Sequence, residues 1–164
     1  MLLLASKGGD AYALLTLALK ETHGLAALPT VSHTPLGKPF FPGCPHIRFS
    51  LSHSGLYVLC AIGGETVGVD IEAVRPRNPT LPRRVLTDTE FGWYEDNGAD
   101  WSAFYTLWTR KESYCKRQGR GVARPREICP PLPGKAPELQ NVSGPGWVAA
   151  VCSAEEIPPI QWLE

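Results

Sequence analysis

The chain has 164 residues, 43% of them hydrophobic, with 16 basic residues balancing 16 acidic ones. That length and composition suit one compact unit, or two small halves sharing a core. Zero net charge excludes a general electrostatic attraction to nucleic acid or a membrane surface, so any basic site must be local.

The opening Met1 to Ala5 is apolar but lacks the basic n-region and long h-region of a signal peptide, and reads as a short strand. No apolar run approaches the roughly 20 residues of a transmembrane helix. Cys44, Cys60, Cys115, Cys129 and Cys152 are scattered and odd in number, which predicts free thiols in a reducing cytoplasm rather than a disulfide framework or zinc site.

Residues 10–23 predict a helix capped by Asp10 and ended by Gly24, with Leu14, Leu15, Leu17, Ala18 and Leu19 on its apolar surface. Residues 29–45 hold Pro29, Pro35, Pro39, Pro42 and Pro45 and predict a loop with short extended pieces. Ile47, Phe49 and Leu51 alternate with polar residues, as in a half-buried strand. Ser52-His53-Ser54-Gly55 predicts a turn, Leu56 to Ile62 a buried strand, Gly63-Gly64 a second turn, and Glu65 to Glu72 a third strand. Together these predict a three-stranded antiparallel meander. Residues 73–82 predict a loop, and 87–97 a short helix with Thr87 and Glu90 as a capping box. Residues 100–118 carry the clearest helical signal, 119–145 read as irregular, and Trp147 to Ser153 and Ile160 to Leu163 as two closing strands.

Two of these segments hold chemistry. In Val67 to Glu72, alternation turns Val67, Val69 and Ile71 toward a core and places Gly68, Asp70 and Glu72 on the other face. Two carboxylates roughly 7 Å apart on one strand face suit a hard divalent cation such as magnesium. They equally suit solvated charges at the end of an edge strand. On the helix at 100–118, Trp101, Phe104, Leu107, Trp108 and Cys115 make an apolar stripe, and Glu112 falls inside it. A carboxylate there needs a partner or a metal. Lys116, one turn on, offers a surface ion pair with Glu112 as the plainer account.

Taken in order, Gly37-Lys38-Pro39, Ser50-Leu51-Ser52-His53-Ser54, Val67 to Glu72, and Trp108-Thr109-Arg110-Lys111-Glu112-Ser113-Tyr114-Cys115-Lys116 resemble the motif series of the 4′-phosphopantetheinyl transferases, Sfp-type branch. The resemblance runs from about residue 10 to about 121, and weakly over 147–163. It implies an enzyme that moves the 4′-phosphopantetheine arm of coenzyme A to a serine of an apo carrier protein (acyl, polyketide or peptidyl), releasing 3′,5′-ADP. A non-catalytic member that only binds coenzyme A or a carrier is the alternative. By match, Asp70, Glu72 and Glu112 would hold Mg2+ against the pyrophosphate, Glu112 would help deprotonate the carrier serine, and Lys116 would stabilise the leaving phosphate. Lys38, Ser52, His53, Lys111 and Lys116 would contact coenzyme A. The implied fold is α+β: one domain over 1–164 made of two similar antiparallel-sheet-plus-helix halves, roughly 1–62 and 63–164, around a pseudo-twofold axis. A monomer is expected, with dimerisation the alternative if the first half is too trimmed. Members of this branch are usually longer, and the resemblance implies that an N-terminal segment with nucleotide-binding basic residues would be missing from residues 1–164. Lys116, Arg117, Arg120, Arg124 and Arg126 form a local basic strip suited to an acidic carrier.

Overall fold

Local signals start and stop the helices where the sequence places them. In α1 (Ala11–His23) the Asp10 carboxylate accepts from the backbone N–H groups of Tyr12 and Ala13, and Gly24, at φ 66°, closes the end. In α3 (Asp88–Asp96) Thr87 and Glu90 form a complete capping box. Asp100 caps α4 (Trp101–Gln118), which ends at Gly119. A short α2 (Leu81–Val85), unforeseen in the sequence, carries Pro82 in its first turn, where no backbone donor is needed. The computed structural model describes residues 1–163; Glu164, the last residue of the expected second half, lies outside them.

Between the helices run β1 (Leu2–Lys7), the short β2 (Ser32–His33) and β3 (Pro39–Phe40), β4 (Arg48–Ser54), β5 (Tyr57–Gly63), β6 (Val67–Ala73), β7 (Leu139–Gly144), β8 (Trp147–Ser153) and β9 (Gln161–Leu163). One sheet has the order β4-β5-β1-β9 and another β6-β8-β7. The topology repeats. A strand leads to a long helix and then to a hairpin, whose second strand returns antiparallel beside the first: β1-α1-β4-β5, then β6-α4-β7-β8. The α+β class expected from the motif series is the fold observed.

Three local expectations change. The predicted meander breaks after its second strand, because β1 occupies the free edge of β5 from Leu2↔Ile62 to Lys7↔Tyr57, and β6 pairs with β8 instead. The Ser52–Gly55 turn is displaced: β4 stays paired through Ser54↔Tyr57, and the two-residue loop is Gly55-Leu56, with Gly55 at φ 59°. Within the segment read as irregular, Leu139–Gly144 forms β7 against β8. The last closing strand, β9, crosses back to lie parallel beside β1.

The layers stack helix, sheet, sheet, helix. Even positions of β1 (Leu2, Leu4) pack on α1 with Leu15 and Leu19. Odd positions (Leu3, Ala5) meet Val67, Val69 and Ile71 in the inter-sheet core. Leu3 is fully buried there, so Leu3→Ala should cost about 2–5 kcal/mol. α4 covers the outer face of the β6-β8-β7 sheet and packs through Phe104 and Leu107 on Val148 and Leu86. Arg110 and Lys111, fully buried on α4, organise the Gly/Pro-rich connection. Arg110 donates to the carbonyls of Pro131, Leu132 and Leu139 and to Asn141 Oδ1. Lys111 pairs with Glu90 at 2.6 Å and donates to the carbonyls of Pro125 and Ile128.

Candidate active site

Gly68 brings the two chemistry-bearing segments together. A Cβ at Gly68 would overlap the Ser113 carbonyl oxygen and the Arg117 backbone nitrogen. The bulky group for which Gly68 leaves room is therefore the backbone of α4 itself. With the helix seated this closely on β6, Glu112 and Lys116 come over the face that carries Asp70 and Glu72.

Asp70 is 4% exposed, and its Oδ1 accepts from Ser52 Oγ at 2.8 Å and from Lys116 Nζ at 2.8 Å. Its Oδ2 is buried without a hydrogen-bond partner among the described residues. Burial drives the Asp70 pKa up, with the Glu72 charge adding to the effect and Lys116 and Ser52 opposing it. Glu72 Oε2 accepts from Ser54 Oγ at 2.6 Å. The Glu112 pKa is also raised, first by burial and then by the charge of Asp70, against the pull of Lys116. Three acids thus face one ammonium group, Asp70 buried and Glu72 and Glu112 partly exposed.

Two openings reach this cluster. One, of about 250 Å³, is lined by Glu112, Lys116, Lys38, Leu51 and Arg120. It shares Leu36, Lys38 and Gly119 with an adjoining cleft of about 580 Å³ that also exposes Arg48 and Arg117. The other, of about 260 Å³, lies between Glu72, Arg77, Trp108 and Glu112. Glu112 and Lys116 therefore stand in a groove whose largely apolar walls also carry Lys38, Arg48, Arg117 and Arg120, and Glu72 and Glu112 line the second opening. Among the described residues no three His, Cys, Asp or Glu side chains already close around a metal position. The buried, unpartnered Asp70 Oδ2 and the carboxylate oxygens of Glu72 and Glu112 beside it nevertheless make the donor set fit a hard cation.

The structure brings Asp70, Glu72, Glu112, Lys116 and Ser52 together, and Lys116 pairs with Asp70 rather than with Glu112. Three other expected residues are placed differently. The Lys111 ammonium is fully buried against Glu90 and the carbonyls of Pro125 and Ile128 rather than turned to Asp70. His53 is exposed, and strand alternation puts it on the face of β4 opposite Ser52 and Ser54. Lys38 lines the groove, but its ammonium donates to the carbonyls of Val67 (3.1 Å), Lys116 (2.6 Å) and Arg117 (3.2 Å), tying the end of α4 to the start of β6. Burial, then Arg48 and Arg117, lower the Lys38 pKa to about 8.

The basic strip also divides. Arg126 donates to the Arg83 and Leu86 carbonyls and to Asp88, Arg124 pairs with Glu127, and Arg117 lies half-buried near Cys152 Sγ. Ser54 was missed as a site residue. The signal was there in the two-residue spacing of Ser50, Ser52 and Ser54 within one strand.

A repeated sheet-and-helix unit with an acid–lysine cluster where β6 meets α4 defines the α+β architecture of this chain. Residues 66–156, more than half the chain, match the family model of the 4′-phosphopantetheinyl transferase superfamily, and the chain belongs to that family. The matched segment contains β6, α4, β7 and β8, and so Asp70, Glu72, Glu112 and Lys116. The chain is 36% identical over 91 residues to the 4′-phosphopantetheinyl transferase Sfp of Bacillus subtilis strain 168, covering 54% of this chain and 41% of that protein. To the 4′-phosphopantetheinyl transferase AcpT of Salmonella typhimurium it is 34% identical over 103 residues, covering 60% and 54%. The matches thus span about two fifths to a little over half the length of these curated relatives.

Proposed function

We propose that this chain transfers the 4′-phosphopantetheine moiety of coenzyme A to a serine of an apo carrier protein and releases 3′,5′-ADP. The observation that carries the reading is the convergence of Asp70, Glu72, Glu112 and Lys116 beside a groove that also holds Lys38 and Arg120, with Gly68 allowing the approach. The names of the relatives support the same activity.

Asp70, Glu72 and Glu112 would hold magnesium. When bound, the ion takes up negative charge on the coenzyme A pyrophosphate. Glu112, destabilised as an anion, would accept the proton of the carrier serine hydroxyl, and a raised pKa makes it a better base. The serine oxygen then bonds to the phosphorus of the phosphopantetheine, and the bond from that phosphorus to the oxygen of the departing 3′,5′-ADP breaks. Lys116, already turned toward the carboxylates, would offset the charge left on that oxygen. Ser52 would act at Asp70, and His53, exposed beside the groove strand, remains the candidate for an outer phosphate of coenzyme A.

The two topological repeats would act as halves of one domain, and every residue in the cluster comes from one chain, which supports an active monomer. Among the described residues no helix is long and apolar enough to cross a membrane. The five free thiols support a reducing cytoplasm as the working compartment. Incubation with coenzyme A, magnesium and a panel of apo carriers, read by mass spectrometry, tests the reading. A carrier that gains the phosphopantetheine mass supports it. No gain on any carrier, with coenzyme A still bound, would replace it with a non-catalytic binding role.

A further inference from the structure

Strands β4 and β6 are the facing edges of the two sheets, and no backbone hydrogen bond joins them among the described residues. Three serine hydroxyls take the place of a ladder. Ser50, Ser52 and Ser54 Oγ accept from the backbone N–H groups of Val69, Ile71 and Ala73 at 3.1, 3.2 and 3.2 Å. All three serines are under 9% exposed. A hydroxyl that accepts from the backbone still has its own proton to give. Ser52 gives it to Asp70 Oδ1 and Ser54 to Glu72 Oε2. Ser50 stands at the rung of Gly68, which has no carboxylate to receive it.

We propose that Ser52 and Ser54 are positioning residues: each fixes one oxygen of an acid and leaves the other oxygen aimed at a divalent cation. The inference deepens the magnesium reading above and rests on it. The hydroxyl prevents rotation of the carboxylate about its terminal bond, so the free oxygen is presented without an ordering cost on binding. At Asp70 that free oxygen is the buried, unpartnered Oδ2. Sheet register and cation affinity are then set by the same side chains, since sliding β4 along β6 by one rung would move one hydroxyl to the other's acid and leave the second with none.

Ser50 supplies an internal control, because it makes the same inter-sheet bond without holding an acid. Mn2+ affinity is read by water-proton relaxation on the full chain with saturating coenzyme A, and stability by thermal unfolding. Ser50→Ala and Ser54→Ala should lower Tm by similar amounts. Only Ser54→Ala should weaken Mn2+ binding, by about tenfold or more. Should Ser54→Ala fail to fold, the isosteric pair Ser54→Thr and Ser54→Val carries the comparison, with threonine expected to bind Mn2+ near the wild-type level and valine weakly. Equal Mn2+ loss in the Ser50 and Ser54 variants, or none in either, would overturn the positioning role while leaving the metal reading intact. A wild-type chain that binds coenzyme A but no Mn2+ would overturn both.

Discussion

Lys116 Nζ lies 2.8 Å from Asp70 Oδ1, across 46 residues of sequence, and not on Glu112 one helical turn away. The geometry leaves Asp70 with one satisfied oxygen and one unpartnered one. Lys116→Met should therefore cost about 1–3 kcal/mol in urea unfolding, because a buried acid loses its only cationic hydrogen-bond donor. The double variant Asp70→Asn, Lys116→Met should recover part of that loss, since removing both members of a buried pair costs less than removing one. A double variant as unstable as the sum of the singles would show that the pair adds nothing jointly.

Glu112 is held where its charged form is disfavoured. A folded-state pKa above the unfolded one means the folded chain holds this proton more tightly. Stability from this group is therefore present at low pH and falls as pH rises through the unfolded and then the folded pKa. Glu112→Gln should raise Tm at neutral pH, with the gain fading toward acid, while transfer to the carrier is abolished. Unchanged transfer at ordinary magnesium would remove Glu112 from the site.

Lys38 joins the end of α4 to β6, and its pKa is lowered to about 8 from 10.5, chiefly by burial. Between those two values the unfolded chain keeps a proton that the folded chain has released, so the burial cost of this lysine is relieved as pH rises across the window. Relative to Lys38→Met, the wild-type Tm should improve steadily from about pH 8 to about pH 10. A difference that is flat with pH would mean the ammonium stays charged against its three carbonyls.

Lys111 and Glu90 form a pair with 0% and 5% side-chain exposure on the far side of α4 from the acids. Lys111→Met leaves the Glu90 charge buried without its cation and should cost about 3–5 kcal/mol. Coenzyme A affinity, measured by calorimetry at a temperature where the variant is folded, should stay near wild type. A selective loss of coenzyme A binding with normal Tm would return Lys111 to the groove.

For the carrier, only part of the basic strip remains available. Arg120 is exposed at the smaller groove opening and shares a neighbouring surface with Arg124, whose only partner among the described residues is the exposed Glu127, whereas Arg126 is tied to α2 and Asp88, and Arg117 is half-buried. Reversing Arg120 and Arg124 to Glu should lower kcat/KM for an acidic carrier several-fold and flatten its salt dependence, with KM for coenzyme A unchanged. Normal carrier kinetics across salt would assign both arginines to solubility.

What the sequence determined by itself was local and periodic. Asp10, Thr87 with Glu90, Asp100, Gly24 and Gly119 mark helix ends by chemistry that acts within a few residues. Alternation in Val67 to Ile71 sorts core from site face, and the ordered motifs point to Asp70, Glu72, Glu112 and Lys116. Tertiary structure decided what depends on competition between distant partners. β6 looked like the third strand of a meander, but β1 already held the edge of β5, so β6 paired with β8 and left its other edge to the serines of β4. The burial of Lys38, Lys111 and Arg110 was not legible in the sequence, because long charged side chains are seldom buried without partners. Their partners are carbonyls and one acid 14 to 79 residues away along the chain, which the fold brings together. The side chains that make the site were readable in order; which ammonium faces which oxygen was settled by the packing of one helix on one strand.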